Sequence, residues 1–436
     1  MDRALKYLKQ LVAIPTVSSK PEHHADLKKG ALLVETILKE VGFSRVEKWA
    51  TKTDVDAVFA EHMPHKNGKT LLFYGHYDVQ PVEPLHLWKT PPFELTQVGD
   101  WLHARGAEDN KGQLSCVLSA LYRNLPSHLN IKILIEGEEE SSSRGLYDLI
   151  DQKKDQLKAD YLLVFDVDMV SIDRGAVTCG TRGVYGFDIH VKTGSSDLHS
   201  GMFGGVARSA TSELNYLLGK MIGAEGEIDV PGFYDEVVEV SADQKALFSF
   251  FEPDGKFARY NTSKISAKDR NYFLPTLEIN GMFGGHTGSG SKTIIPCEAT
   301  AKMSIRTVKG QDGFRLIDKI DHFLQNIKHP STIVEVHKHS GGPYSFTSPD
   351  DPFIETIRQS YKKICSEGCE TILSGASIPV ASHLQKASHA VLAFAGVGLK
   401  EDYIHSPNER FSLKQIEKGV LFIKELVHNL NENCKC

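Results

Sequence analysis

Three short runs in the first 180 residues carry branched and aromatic side chains almost without a break: TLLFYG (70–75), IKILIEG (131–137) and DYLLVFD (160–166). Apolar runs of this length, bounded by turn residues, predict strands buried on both faces. Between the first two, GQLSCVLSALYRNL repeats its apolar positions at helical spacing after a glycine-containing turn. SSRGLYDLIDQKKDQL does the same between the second and third. Strands alternating with helices predict an α/β unit with a mostly parallel sheet covered on both faces. The opening segment, MDRALKYLKQLVAIPTVSS, predicts an amphipathic helix with Leu5, Leu8, Leu11 and Val12 on one face, ended by Pro15.

After TRG (181–183) the periodicity changes. GFDIHVKT, EATAKMSIRTV and TIVEVHKHS read as strands, the first alternating as a half-buried strand should. VARSATSELNYLLGKMI and GFRLIDKIDHFLQNI read as helices. This pattern predicts a small antiparallel α+β unit that closes near GGPYS (341–345). The remainder resumes the first texture: helix DPFIETIRQSYKKIC, buried strand AVLAFAGVG and a last helix, LKQIEKGVLFIKELVHNL. The expected organisation is one catalytic α/β domain, residues 1–181 and 346–436, interrupted by an inserted lid and dimerisation domain, residues 182–345.

Composition narrows the partners. At 436 residues the chain exceeds one ordinary core. A hydrophobic content of 41% and a charged content of 24% are those of a soluble globular protein. The net charge of −6 argues against nucleic acid or a membrane surface as partner, and no apolar run approaches the roughly 18 residues of a membrane span. The N-terminus has neither an uninterrupted apolar core nor a small-residue cleavage site, so no signal peptide is expected. Seven scattered cysteines, without metal-site spacing, predict reduced thiols in a cytoplasmic protein.

The chemistry gathers at strand ends. Ligands of open α/β sheets bind beyond the carboxyl ends of the strands. Here TLLFYG runs into His76 and Asp78, IKILIEG into Glu136, Glu138, Glu139 and Glu140, and DYLLVF into Asp166, with Asp168 close behind. AVLAFAGVG is soon followed by DYIHSPNE, which contains His405, and Asp109 of RGAEDNKG precedes a helix. Carboxylates so crowded repel one another. Histidines and carboxylates together are the ligands of zinc or manganese. One ion would leave no open position among five candidate ligands, whereas two ions bridged by a shared carboxylate fit, and such pairs serve hydrolysis. In an extended segment residues two apart share a face, so Asp78 is placed to accept the second ring N–H of His76.

As an ordered set, GHYDVQP, RGAEDNKG, EGEEESSS, DYLLVFD…GTRG, DLHSGMFGG, SIRTV and HSPNE resemble the co-catalytic zinc peptidases. That family includes cytosolic non-specific dipeptidase, carnosinase, aminoacylase and glutamate carboxypeptidase. The resemblance runs from about residue 5 to 430 and is nearest the dipeptidase branch. It implies His76 and Asp166 on one metal, Glu140 and His405 on the other, and Asp109 bridging. It further implies Asp78 orienting His76, Glu139 as general base, and Glu136 and Glu138 as supporting charges. His199 resembles the histidine that reaches into a partner subunit's site, which implies a homodimer through the lid. Arg306 resembles the residue that grips the terminal carboxylate of a small peptide substrate, and Thr293, Gly375 and Ser377 are further candidates for substrate contacts. An aspartate at position 166 resembles the dipeptidase members. Two departures stand out: Asn110, where the family commonly has an acid, and Ser142, where it usually has glycine.

One rival motif fails on spacing. GGHTGSGSKT (284–293) approximates a phosphate-binding loop, but Ser291 separates the second glycine from the lysine. The following TIIPCEA is strand-like and contains Pro296, where that motif needs a helix. Within the hydrolases, deacylation of N-acyl amino acids and carboxypeptidase activity remain as alternatives.

Overall fold

The computed structural model describes residues 1–223, 226–251 and 265–434. Up to Thr181 the chain forms helices α1 (Asp2–Val12) and α2 (His24–Val41), then strands β1 (Arg45–Trp49), β2 (Ala57–His62) and β3 (Thr70–His76). Helix α3 (Lys111–Leu121), β4 (Asn130–Glu136), α4 (Arg144–Leu157), β5 (Tyr161–Phe165) and β6 (Gly175–Thr181) follow. Next come β7 (Gly183–Lys192), α5 (Ala210–Met221), β8 (Thr276–Gly284), β9 (Glu298–Thr307), α6 (Gly313–Ile327) and β10 (Ile333–Gly342). The chain ends with β11 (Ser345–Phe346), α7 (Pro352–Ile364), β12 (Cys369–Ser374), α8 (Pro379–Ser388), β13 (Val391–Ala395) and α9 (Leu413–Asn433).

The large sheet has the order β1-β2-β4-β3-β5-β13-β6-β11, with β12 also paired to β6. Its centre, β4-β3-β5-β13, is parallel, as the strand–helix alternation predicts. The sheet as a whole is mixed, because β1 and β2 add an antiparallel edge and β11 returns antiparallel to β6. Within β3, Leu71 and Phe73 enter a core shared with α1, α3, α7 and α9. Leu72 and Tyr74 enter the opposite core, with α4 and α8. A strand whose alternate side chains both meet apolar helices must be apolar throughout, which is why TLLFYG shows no alternation. Helix α1 turns Ala4, Tyr7, Leu8, Leu11 and Val12 inward, while Leu5 stands at the margin.

The second sheet, β8-β9-β7-β10, is antiparallel throughout. In β7, Tyr185, Phe187, Ile189 and Val191 point into a separate core with α5 and α6, and Asp188 and His190 lie on the half-exposed face. Between α5 and β8, Phe248 and Phe273 leave this unit and join the core of the large sheet. GGHTGSGSKT forms the end of β8 and a connection to a two-residue strand, Ile294–Ile295, which β9 follows with no helix between them. Nor is any described helix long and apolar enough to cross a membrane.

Candidate metal centre

Parallel register brings the polar strand ends together, since His76 at the end of β3 stands opposite Glu136 at the end of β4. His76 is fully buried, and its Nε2 lies 3.2 Å from Asp109 Oδ1 and 3.4 Å from Asp166 Oδ2. That nitrogen makes no hydrogen bond. His405 Nε2 lies 2.8 Å from the other oxygen of Asp109 and 3.4 Å from Glu140 Oε2. Ligand atoms of His76, Asp109 and Asp166 fall within 4.8 Å of one another, and so do those of Asp109, Glu140 and His405. Asp109 is common to both groups. A buried imidazole nitrogen without a partner, among carboxylate oxygens, is the donor set of a divalent cation, so the residues present fit two such ions.

The supports are explicit. His76 Nδ1 lies 3.2 Å from the carbonyl and 3.3 Å from the carboxylate of Asp78, the orientation expected from their spacing. The same carboxylate accepts the backbone N–H groups of Glu139 and Glu140 at 3.2 and 3.1 Å. Asp78 therefore fixes both the imidazole and the acidic turn. Gln80 Nε2 donates to Glu140 Oε2 at 2.7 Å. Asn110 accepts the N–H of His76 at 3.2 Å and donates to Asp166 Oδ1 at 2.6 Å. An acid at position 110 would repel Asp166, whereas the amide holds it. Glu136 takes hydrogen bonds from Tyr74 and Ser143, and Glu138 from Thr53 and the N–H of Gly145. Both lie outside the two ligand groups.

Without cations these acids resist ionisation. Burial, reinforced by neighbouring carboxylates, pushes Glu139 up to about 7 and Glu140 up to about 9. The hydrogen bond to Asp109 raises His405 to about 9. Burial opposes ionisation of Asp109 too, but the hydrogen bond from His405 and the charge of the neighbouring His76 hold it well below the usual carboxylate range.

A cleft of about 450 Å³ opens beside the centre, lined by Asp109, Glu139, Asp166 and His405 and, further along, by Ile372 and Ile378. Arg306 donates to Ser377 Oγ at 2.7 Å, and Arg182 Nε donates to the carbonyl of Gly375 at 2.9 Å. Three of the expected substrate contacts thus meet at one place; Gly375 and Ser377 alternate in sequence with the cleft-lining Ser374, Ala376 and Ile378, and none of the three lines the cleft itself. Burial and the neighbouring Arg306 lower Arg182 to about 10. His199 and Thr293 sit elsewhere. The short strand Leu198–His199 pairs with Ile294–Ile295, Ser200 N–H donates to the carbonyl of Thr293 at 3.0 Å, and His199 is exposed. Neither lines the cleft within a single chain.

Sequence reasoning passed over Glu409, although it stands in HSPNE. Its buried carboxylate accepts the N–H groups of Gly106, Glu108 and Asp109 at 2.9–3.1 Å and pairs with Arg105 at 2.7 Å. Gln80 and Arg182 likewise stand inside GHYDVQP and GTRG.

An α/β sheet that presents two histidine–carboxylate groups joined through one aspartate defines a metal-dependent hydrolase. The chain belongs to peptidase family M20/M25/M40, whose sequence profile matches residues 72–429. A β-Ala-His dipeptidase of Homo sapiens is 31% identical over 360 residues, covering 79% of this chain and 71% of that protein. A Cys-Gly metallodipeptidase of Schizosaccharomyces pombe is 27% identical over 457 residues, covering 98% and 96%. The crystal structure of an M20 family metallo-carboxypeptidase from Sulfolobus solfataricus superposes with a TM-score of 0.86 at 27% identity, covering 99% of this chain and 100% of that one.

Proposed function

We propose that the protein is a cytoplasmic dipeptidase working with two divalent cations, zinc first and manganese second. The observation that carries this reading is Asp109, whose two oxygens face His76 and His405 separately. In this reading His76 and Asp166 hold one ion, Glu140 and His405 the other, and Asp109 bridges. Bound there, the pair would acidify a water and polarise the scissile carbonyl. Glu139 lines the cleft as general base, accepting a proton on its carboxylate and returning one to the leaving amine. Asp78 holds the backbone of Glu139 and the ring of His76 in register. Arg306, with Ser377 and Gly375 beside it, would take the peptide's terminal carboxylate, for which guanidinium geometry is suited.

The lid, residues 182–345, would also dimerise. Supporting this, β8 is an edge strand that leaves Met282 and Phe283 about half exposed, and Met202 and Val206 beside His199 are exposed at 73% and 83%. His199 and Thr293 would then serve a partner's cleft. Burial raises the thiols of Cys365, Cys369 and Cys434, which keeps them inert and suits a reducing compartment.

Elemental analysis of zinc-loaded protein, together with rates on leucyl-glycine and N-acetyl-leucine, tests the proposal. Two ions per chain and preferred cleavage of the dipeptide are expected. Preferred deacylation would shift the reading to the amidohydrolases, and metal-loaded protein that cleaves neither would end it.

A further inference from the structure

Lys111 is the first residue of α3, two places after Asp109, and is only 1% exposed. A cation is unfavourable at the start of a helix, where the peptide dipoles present their positive end. The side chain leaves its own helix. Its ammonium donates to the carbonyls of Leu11 and Ile14, at 3.0 and 2.8 Å, where α1 ends and the dipoles favour a cation. Lys111 forms no ion pair among the described residues, so these two carbonyls are what offsets its burial. Its stem packs across the Asp109 turn: a Cβ on Gly106 would stand 3.1 Å from Lys111 Cδ and 2.7 Å from Val79 Cγ1. The same N-terminal segment grips the strand end that carries His76. Thr16, also 1% exposed, donates its hydroxyl to the carbonyl of Tyr77 at 2.6 Å. The carbonyl of Thr16 accepts the N–H of Val79 at 2.9 Å, and Val17 pairs with Val79 in a parallel bridge. Residues 11–17 are therefore bonded on one side to the segment of His76 and Asp78, and on the other to the turn of Asp109. Those two ligands share one group, and Asp109 belongs to both groups. Their separation is set by a third piece of chain that supplies no ligand and precedes the residues, 72–429, that the family profile matches.

We infer that residues 11–17 brace the metal centre, with Lys111 and Thr16 as positioning residues that act through Asp109 and His76. The inference rests on the two-cation reading. Without the brace, the turn and the strand end lose their common support, and a cation that needs donors from both binds more weakly. A role confined to stability would leave the cation affinity of the folded molecules untouched.

Zinc affinity of folded protein by chelator competition, and amide hydrogen exchange of the zinc-free protein, test the inference. Lys111→Met removes the ammonium and keeps the stem. Thr16→Val removes the hydroxyl and keeps the shape, whereas Thr16→Ser keeps the hydroxyl. Leu384→Ala truncates the core on the opposite face of the large sheet, in α8, and controls for general destabilisation. Lys111→Met and Thr16→Val should each bind zinc roughly 10–100-fold more weakly, with faster exchange at residues 76–79 and 106–110. Thr16→Ser and Leu384→Ala should match wild type in both measurements. Should Lys111→Met fail to fold, the two Thr16 variants decide the matter. Wild-type zinc affinity in folded Thr16→Val, or an equal loss of affinity in Leu384→Ala, would overturn the inference. Wild-type protein that binds no zinc, with the exchange differences still present, would count against the two-cation reading alone.

Discussion

Ser142 holds a left-handed backbone (φ 77°) at the end of the turn that carries Glu139 and Glu140, and its side chain is exposed. A glycine there would adopt the same backbone without strain. Ser142→Gly should therefore stabilise the protein by roughly 0.5–1 kcal/mol, read as a higher urea midpoint, without altering metal content. Glu139→Gln should retain both ions by elemental analysis and lose roughly 10²–10⁴ of the dipeptidase rate, the range of general base catalysis. Asp402 offers a pH test. Burial pushes its carboxyl up to about 7, above its unfolded value. The folded protein thus binds this proton more tightly, and the associated stability, complete in acid, is lost as pH rises towards 7. Asp402→Asn should lack that loss, so its melting temperature should gain on wild type between pH 4 and 7.

At the scale of elements, the loop before α3 and the loop before α9 form one structural unit. Glu409 binds three N–H groups of one turn, those of Gly106, Glu108 and Asp109, and Arg105, across about 300 residues of chain. Glu409→Gln leaves a buried guanidinium without its counter-charge, a loss of about 3–5 kcal/mol. Because the same carboxylate sets the backbone of Asp109, cation affinity should fall by roughly 10–100-fold in a chelator competition. The central strands, the helices between them and the acids at their ends were all legible in the sequence, because a strand buried on both faces must be apolar and then stop. The antiparallel edge was not, since RVEKW is charged and mostly unburied, and AVFAEH, although Val58 and Ala60 enter one core and Ala57 and Phe59 the other, ends in the polar Glu61 and His62. Glu409 and Gln80 were present in quoted motifs, but their partners are set by the meeting of distant segments, which local periodicity does not encode.

For the whole molecule, the decisive fact is that His199 lies outside the cleft of its own chain. If a second subunit brings it in, His199→Ala should lose activity as a catalytic lesion while its fold and metal content persist. Mixing it with Glu139→Gln protein should then restore turnover in proportion to the heterodimer formed, since each mixed pair has one intact site. No recovery after verified exchange of subunits would confine His199 to its own chain. The second, antiparallel sheet was readable from the change of period after Thr181. That Phe248 and Phe273 return from it to the main core was not, because an apolar residue gives no sign of which core it will join.

The span from His76 to His405 also sets a timetable. A chain emerging from the ribosome has its first imidazole and all its acidic ligands long before the second imidazole and the Glu409 anchor are made. Until those last residues appear, the Asp109 turn lacks its Glu409 anchor and one ligand group lacks its imidazole, so cation loading would be among the final events of maturation. On the two-cation reading, a cell starved of those cations would accumulate chains that are fully synthesised and largely folded but silent, ready to be switched on without new translation.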